Sequence, residues 1–416
     1  MIQAIRGAKD ILPDSAASWQ FLYDVCKKAS EQYGYSELRT PIFEKTEVFS
    51  RGVGEETDIV GKEMYTFTDR GGESVTLRPE ATAALVRAVI QNSLVQEGSV
   101  SRLWYFGPFF RYERPQKGRL RQFHQYGAEC LNSPNPEADV ETLLLAKRII
   151  NGVGIDSYKL LINSLGNGES RAAYRAALVD YLRARESSLS GESVRRLETN
   201  PLRVLDSKDA KDIEILAEAP DILKYLDEDS RSRFDFVINS LEKLGLQYEI
   251  DKRLVRGLDY YSHTVFEFRS AGLGSQDSFG GGGRYDGLFE QLGGKPTPAV
   301  GFAFGLERIL LILEALSATP AGAPSPDAVV VCDDAYFAFG ELVAEKLRGG
   351  GYRVVSDLRR RSFKAQMRDA NRMGARFAVI IGEDEAAKGG FTLKDMLNGG
   401  GEQRFVSLKD DPKLEA

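Results

Sequence analysis

The stretch Arg102 to Cys130, RLWYFGPFFRYERPQKGRLRQFHQYGAEC, restricts the possible folds more than any other part of the chain. Trp104 to Tyr112 is crowded with aromatic residues, which suit a pleated, half-buried surface. Pro115 to Gly118 is turn material. From Gln122 onward the side chains of an extended chain alternate, so Phe123, Gln125, Gly127 and Glu129 share one face. His124, Tyr126, Ala128 and Cys130 take the other. Phe109, Arg111 and Glu113 likewise share a face of the first strand. The pattern predicts a hairpin floor bearing Arg111, Gln125 and Glu129, with Gly127 leaving room above it. The loop adds Arg114, Lys117, Arg119 and Arg121, against the single acid Glu113. Guanidinium forks bind phosphate bidentately, so such a hairpin suits a polyphosphate. A solvated basic hairpin is the plainer alternative.

A chain of 416 residues points to two or three domains with ample core. Charged residues make up 28% and hydrophobic ones 42%, the balance of a soluble globular protein. The net charge of −6 gives no global attraction to nucleic acid, so any RNA contact must come from local basic patches. The first twenty residues carry Arg6, Lys9, Asp10 and Pro13 with no apolar core of a secretion signal. No apolar run approaches membrane-spanning length. Cys26, Cys130 and Cys332 are isolated, and His124 and His263 are the only histidines, which argues against a zinc cluster. A cytoplasmic, reduced, zinc-free protein is expected.

Before the hairpin, Ser15 to Gly34 has helical spacing, and Tyr35 to Phe43 reads as extended, with Pro41 at an edge or strand end. Ser50 to Gly61, SRGVGEETDIVG, reads as a mobile loop. Met64–Phe67 and Ser74–Leu77 form a predicted hairpin, followed by TLRPEATA, where Pro79 suits a helix start and Glu80 its first turn. After the main hairpin, a helix over 136–153 and a strand over 158–163 precede a stretch of different character. Residues from about 167 to 247 show helical periods and many charges, a helical insertion of small-domain size. Sheet resumes with RLVRGLDYY at Arg253–Tyr261, a strand at Thr264–Phe268 and SFGGGGRYDGL at Ser278–Leu288, whose four glycines permit close backbone approach. Ala299–Phe304 is a strand and Gly305–Leu316 a helix with Arg308 in its first turn, where a cation opposes the dipole. A domain over 1–319 ends at an Ala/Pro linker, 320–326. Residues 327–416 read as βαβαβ, an α/β domain with a mostly parallel sheet. There Lys364, Arg368 and Arg372 form one basic stripe, just after Arg359 to Arg361.

FRYERPQKGRLRQFHQYGAE closely resembles motif 2 of the class II aminoacyl-tRNA synthetases, in the form found in the histidyl enzymes. YSELRTPIFEKTEVF resembles motif 1, which lies at the dimer interface in that family, and GFAFGLERILLIL resembles motif 3. LVRGLDYY and GGGGRYDGL are similar to segments peculiar to the histidyl family, and TLRPEATA to its amino-acid-binding segment. The last domain resembles the anticodon-binding domain shared by histidyl, glycyl, threonyl and prolyl synthetases. The resemblance implies an α+β catalytic domain on an antiparallel sheet, and no GxGxxG fingerprint contradicts that in the first three hundred residues. It also implies a helical insert that contacts the tRNA acceptor arm.

The implied reaction activates L-histidine with ATP and Mg²⁺ to histidyl-adenylate, releases pyrophosphate and transfers histidine to its tRNA. Arg111, Arg256 and Arg308 would be catalytic: Arg111 on the α-phosphate, Arg308 on the ATP tail and Arg256 at the reacting centre. Glu113 and Arg119 would join Arg111 and Arg308 around ATP. Glu80 and Thr82 would take the ammonium with help from Gln125, Glu129 and Tyr261 would read the imidazole, and Tyr285 would pack beside it. Gln116 and Lys117 would meet the tRNA acceptor end, no protein cluster would hold a metal, and Mg²⁺ would arrive with ATP. The expected partners are histidine, its tRNA at acceptor end and anticodon, and a second copy in a homodimer, with no membrane. Histidine-binding regulatory paralogues resemble the catalytic domain alone. Arg256, Arg308, the basic loop and residues 327–416 favour the enzyme.

Overall fold

The computed structural model describes residues 2–54, 57–320, 325–397, 403–409 and 413–414. It divides into two compact units, Met1–Pro320 and Ala321–Ala416. Most of the predicted linker, residues 321–324, lies outside the described residues, as do Glu55 and Glu56.

The first unit is built on an eight-stranded sheet. Ser101–Phe110 and Gln122–Leu131 pair antiparallel in the register Phe109↔Phe123, Tyr105↔Gly127 and Leu103↔Glu129. The sheet continues antiparallel through Ala299–Gly305, Ser278–Arg284, Ser262–Arg269 and Lys159–Ser164. Only its short edges, Ser36–Glu37 and Glu249–Ile250, pair parallel. One face carries Trp104, Tyr126, Ala128 and Cys130 into the main core with Leu22, Cys26 and Ala29 of helix Pro13–Gln32 and Leu143 and Ile149 of helix Glu137–Gly152. The Tyr126 hydroxyl and Ser30 Oγ lie 2.8 Å apart in this apolar layer, which satisfies both. The strict alternation of the strand then turns Gln125, Gly127 and Glu129 to the opposite face. That face holds the site.

Several elements differ from the sequence expectation. Tyr35–Phe43 is not one strand: Ser36–Glu37 joins the large sheet, and Phe43–Lys45 joins a separate three-stranded sheet with Ser74–Leu77 and Tyr65–Thr68. Pro41 lies between them and cannot donate to a ladder. The expected loop over 50–61 is bounded by structure, the helix Thr46–Val53 and a π-type turn from Ile59 to Glu63. The helix after TLRPEA begins at Thr82 rather than at Pro79. Glu80 therefore precedes the first turn, and its carboxylate accepts from the free amides of Thr82 (2.8 Å) and Ala83 (2.9 Å).

The chain between Ser164 and Glu249 is helical, with helices Gly168–Arg183, Gly191–Thr199, Ala210–Leu216 and Glu228–Lys243 and a 3₁₀ turn Pro201–Asp206. Asn167, Ser190, Asp209 and Asp227 cap the four helices. Its polar centre is the fully buried Asp212, which accepts from Ser190 N (2.8 Å), Ser190 Oγ (2.7 Å), Ser193 Oγ (2.6 Å) and Ser207 Oγ (2.6 Å).

In the second unit Val354–Ser356, Ala328–Cys332 and Phe377–Ile381 are parallel, and Gly390–Asp395 and Gln403–Ser407 extend the sheet antiparallel. Lys364, Arg368 and Arg372 lie exposed along helix Phe363–Arg372. Arg361 pairs with both Asp357 and Asp369, and Asp369 also pairs with Arg372 at 3.0 Å.

Burial opposes ionisation of Asp212, yet the donors around it hold its carboxyl at about 2, below the ordinary 3.8. A depressed folded value stabilises the fold above about pH 4, and the contribution is lost as pH falls toward 2. Asp212→Ala leaves three hydroxyls and an amide without their acceptor, and should cost roughly 2–4 kcal/mol. Chemical denaturation at pH 7 checks this, and the deficit should shrink at pH 2.5.

Candidate active site

A cavity of about 600 Å³ opens on the polar face of the large sheet. Glu80, Thr82, Arg111, Glu113, Arg119, Gln125, Glu129, Arg256, Tyr261, Tyr285 and Arg308 all line it, although they come from five separate segments of the sequence. Gln116 and Lys117 do not. They stand exposed in the hairpin loop, which Gln116 and Arg119 close by a two-way backbone bridge.

Glu129 is 2% exposed and held at both oxygens: Thr82 Oγ1 donates to Oε1 (3.0 Å), and the Tyr285 hydroxyl donates to Oε2 (2.7 Å). Tyr285 is thus a direct partner of the carboxylate. The carboxylate fits because its neighbour in the ladder is Gly301: a Cβ there would stand 1.6 Å from Oε2. Burial pushes the Glu129 carboxyl up to about 8, while the Tyr285 and Thr82 hydrogen bonds pull the other way. Burial also raises Glu80, against the two amides that stabilise its charge. The room expected above Gly127 is occupied. The ring of Tyr105 crosses it, so close that a Cβ at Gly127 would be 2.2 Å from the phenol oxygen. Tyr105 is therefore a cavity wall that the sequence did not reveal. Tyr260, packed on Tyr261 at 4.7 Å and Tyr285 at 5.5 Å, is another.

The other end of the cavity is cationic. Arg111 donates from Nε to Pro79 O (2.9 Å) and lies over the Phe123 ring. Arg119 pairs with Glu113 at 3.2 Å. Among the described residues Arg308 donates to main-chain oxygens, those of Gly118 (3.1 Å) and Ser278. Burial, with Arg119 and Arg111 beside it, lowers the pKa of Arg308, the sign of a cation that a bound anion would relieve. A first-turn guanidinium opposes the helix dipole, and Glu307 next to it offsets this while accepting from His124 N and Nδ1, each at 2.9 Å.

Arg256 belongs to neither end. It lies over Gly281, where a Cβ would meet Nη1 at 2.7 Å. Gly281 pairs with Ala303, two residues from Gly301 beside Glu129 and two from Gly305 at the start of the Arg308 helix. Nη1 donates to Glu267 Oε2 (2.8 Å), and Nε is buried without a hydrogen-bond partner. Glu267 also accepts from Arg269 Nε (2.6 Å), and its carboxyl stays below the ordinary range against its own burial, through Arg256 and Arg269.

An antiparallel sheet carrying a carboxylate pocket beside an arginine cluster is the arrangement that the resemblance to class II aminoacyl-tRNA synthetases implies. A family model described as histidyl-tRNA synthetase matches residues 7–309, and one described as anticodon binding domain matches 328–413. The chain is 50% identical over 407 residues to the histidine–tRNA ligase of Halorhodospira halophila, covering 97% of this chain and 95% of that one. Against the histidine–tRNA ligase of Cyanothece the identity is 48%, over 98% and 95%. The crystal structure of apo Staphylococcus aureus histidyl-tRNA synthetase superposes with a TM-score of 0.82 at 34% identity, covering 98% of each chain. The chain belongs to the histidyl-tRNA synthetase family.

The raised Glu129 carboxyl has a measurable consequence. The unfolded chain releases this proton near 4.5 and the folded one near 8, so the folded state binds more protons between those values. Stability is therefore lost as pH rises through that window. Glu129→Gln lacks this slope. The difference in melting temperature between variant and parent should shift in favour of the variant from pH 5 to pH 8.5, and a constant difference would show that Glu129 ionises normally.

Proposed function

We propose that the Glu129 end of the cavity binds L-histidine, that the arginine end binds ATP, and that Arg256 acts where the two react. The activity itself, ligation of histidine to tRNA at the expense of ATP, follows from family membership at 50% identity over nearly the whole chain. The observation that carries the site reading is the division of one cavity into a buried, hydroxyl-held carboxylate and a cluster of guanidiniums.

The substrate carboxylate attacks the α-phosphorus of ATP, an acyl–phosphate bond forms, and the bond to pyrophosphate breaks. Charge then grows on the phosphoryl oxygens, and fixed cations at that point lower the barrier most. Arg111 and Arg256, which line the cavity, suit this role, and Arg308 and Arg119 suit the polyphosphate. Glu80, Thr82 and Gln125 suit the ammonium group. Glu129 and Tyr261 suit the imidazole, which offers both a donor and an acceptor, so other amino acids would leave polar groups unpaired. The terminal ribose hydroxyl of the tRNA then attacks the carbonyl, and AMP leaves. Among the described residues no three acids, histidines or cysteines cluster as a metal site. Mg²⁺ would arrive on the phosphates of ATP, neutralising part of their charge, with Glu113 the carboxylate beside the arginines.

Gln116 and Lys117, exposed in the loop, suit the acceptor end of the tRNA, where an amide can meet a base edge and an ammonium a phosphate. The exposed stripe Lys364, Arg368 and Arg372 suits the anticodon stem. Among the described residues no helix is long and apolar enough to cross a membrane.

Arg256→Ala should slow single-turnover adenylate formation by about a hundred- to a thousandfold, the usual cost of one preorganised donor, with histidine binding changed far less. A near-parent rate in a folded variant would remove Arg256 from the reaction. A homodimer is also proposed, from the likeness of 35–49 to motif 1 and from the exposed Ile42, Phe43 and Phe67 around the small sheet. An obligate dimer of this kind buries more than about 2,000 Å² in total. Light scattering at micromolar concentration should give twice the mass of one chain, and a single-chain mass would rule the dimer out.

A further inference from the structure

The helical segment contributes a piece of the cavity wall: Asp206 and Lys208 both line it. Asp212 fixes their position through Ser207, whose hydroxyl it accepts at 2.6 Å. One turn earlier, the 3₁₀ helix Pro201–Asp206 presents Arg203 and its N-cap Asn200 to the residues that follow Arg256. Asn200 Nδ2 donates to Asp259 Oδ1 (3.0 Å). Arg203 Nη2 reaches Asp58 at 3.5 Å, while Nη1 is buried over Gly257 without a hydrogen-bond partner. A Cβ on Gly257 would stand 2.9 Å from that nitrogen.

These contacts matter because the chain from Asp251 to Tyr261 belongs to no strand or helix. Its main chain is tied at Leu254, whose carbonyl accepts from Asn163 Nδ2 (3.1 Å), and at Asp259, whose amide donates to Val53 O (3.3 Å). Arg256 sits between these ties and has one carboxylate partner, Glu267. Arg203 fills the gap from the insert side.

We propose that Asn200 and Arg203 are positioning residues for adenylate formation: the insert braces the Arg256–Asp259 turn and so sets where the Arg256 guanidinium stands. The brace works without tRNA, so the first chemical step depends on the insert even when no RNA is present. This inference rests on the reading of Arg256 given above.

The test is single-turnover adenylate formation by the full-length protein without tRNA. Arg203→Ala should slow it by about ten- to a hundredfold, since displacements of the order of 1 Å cost that much, while histidine and ATP affinities stay within about twofold. Arg203→Lys, which keeps a cation opposite Asp58, should lose less. Asn200→Ala, a partly exposed site, should give a smaller loss and serves if Arg203→Ala fails to fold. The sharpest readout is a double-mutant cycle. Gly257→Ala should be slow alone because its methyl meets Arg203, yet add little to Arg203→Ala, where that space is empty. A parent-like rate for Arg203→Ala, or strictly additive losses with Gly257→Ala, would overturn the brace. If Arg256→Ala is also parent-like, the site reading fails; if Arg256→Ala is slow, only the brace does.

Discussion

A carboxylate with almost no access to water, set inside a β-sheet, is the constraint around which this site is built. Glu129 can be there only because Gly301 has no side chain, because Thr82 and Tyr285 supply hydroxyls, and because the helix from Thr82 to Gln91 brings Thr82 to it. Removing a carboxylate from water without donors would be prohibitive. Even with two of them burial pushes its carboxyl up to about 8, and on the proposed reading a ligand group that donates a hydrogen bond there would favour the charged form. The imidazole of histidine is such a group. On that reading the cost of burying the carboxylate and the selectivity for the ligand have one cause.

The arginine end follows the same logic with the opposite sign. Arg308 is half-buried beside Arg119 and Arg111, and among the described residues its hydrogen bonds go to main-chain oxygens. Arg78 shows the contrast. It is buried and also bonded to carbonyls, of Pro108 and Thr40, but it lies over the Phe109 ring and lines a different, smaller cavity. Arg78 ties the strand Ser101–Phe110 to the loop at Thr40; Arg308 faces a cavity large enough for a nucleotide. Burial of a guanidinium does not by itself mark a ligand site, but burial facing open volume does.

The faces of the main hairpin were legible in the sequence because a period of two is local, and so Gln125 and Glu129 could be assigned to one side of a strand before any fold was known. The basic loop and the Arg308 helix start were legible for the same reason. What sequence could not supply were contacts set by register and long separation. Tyr105 lies over Gly127 because of how two strands pair, and Arg284 binds Asp139 across 145 residues. The partner of Arg256 is Glu267, not the nearby Asp259, whose carboxylate accepts from Asn200. The strands Gly390–Asp395 and Gln403–Ser407 were not anticipated, since glycine-rich flanks make short strands read as turns. The π-type turn at Ile59–Glu63 was missed because local polarity argued for a loop.

The glycine run has a meaning that only the paired sheet discloses. Gly280 to Gly283 form a central strand bonded on both sides, although glycine within a strand costs roughly 0.5–1 kcal/mol per residue relative to alanine. Neighbouring side chains recover part of that cost. Phe304 packs where a Cβ of Gly280 would be, and Arg256 where one of Gly281 would be. The strand therefore acts as a row of sockets in a rigid surface. Charges seated in such sockets are fixed by the ladder rather than by loops, which is the condition under which a donor stabilises a transition state without reorganising. Arg256 is the partial exception, since its own backbone lies outside the ladder while its guanidinium rests on it. Its orientation must then depend on whatever holds that backbone from the other side, and the residues found there belong to the helical insert.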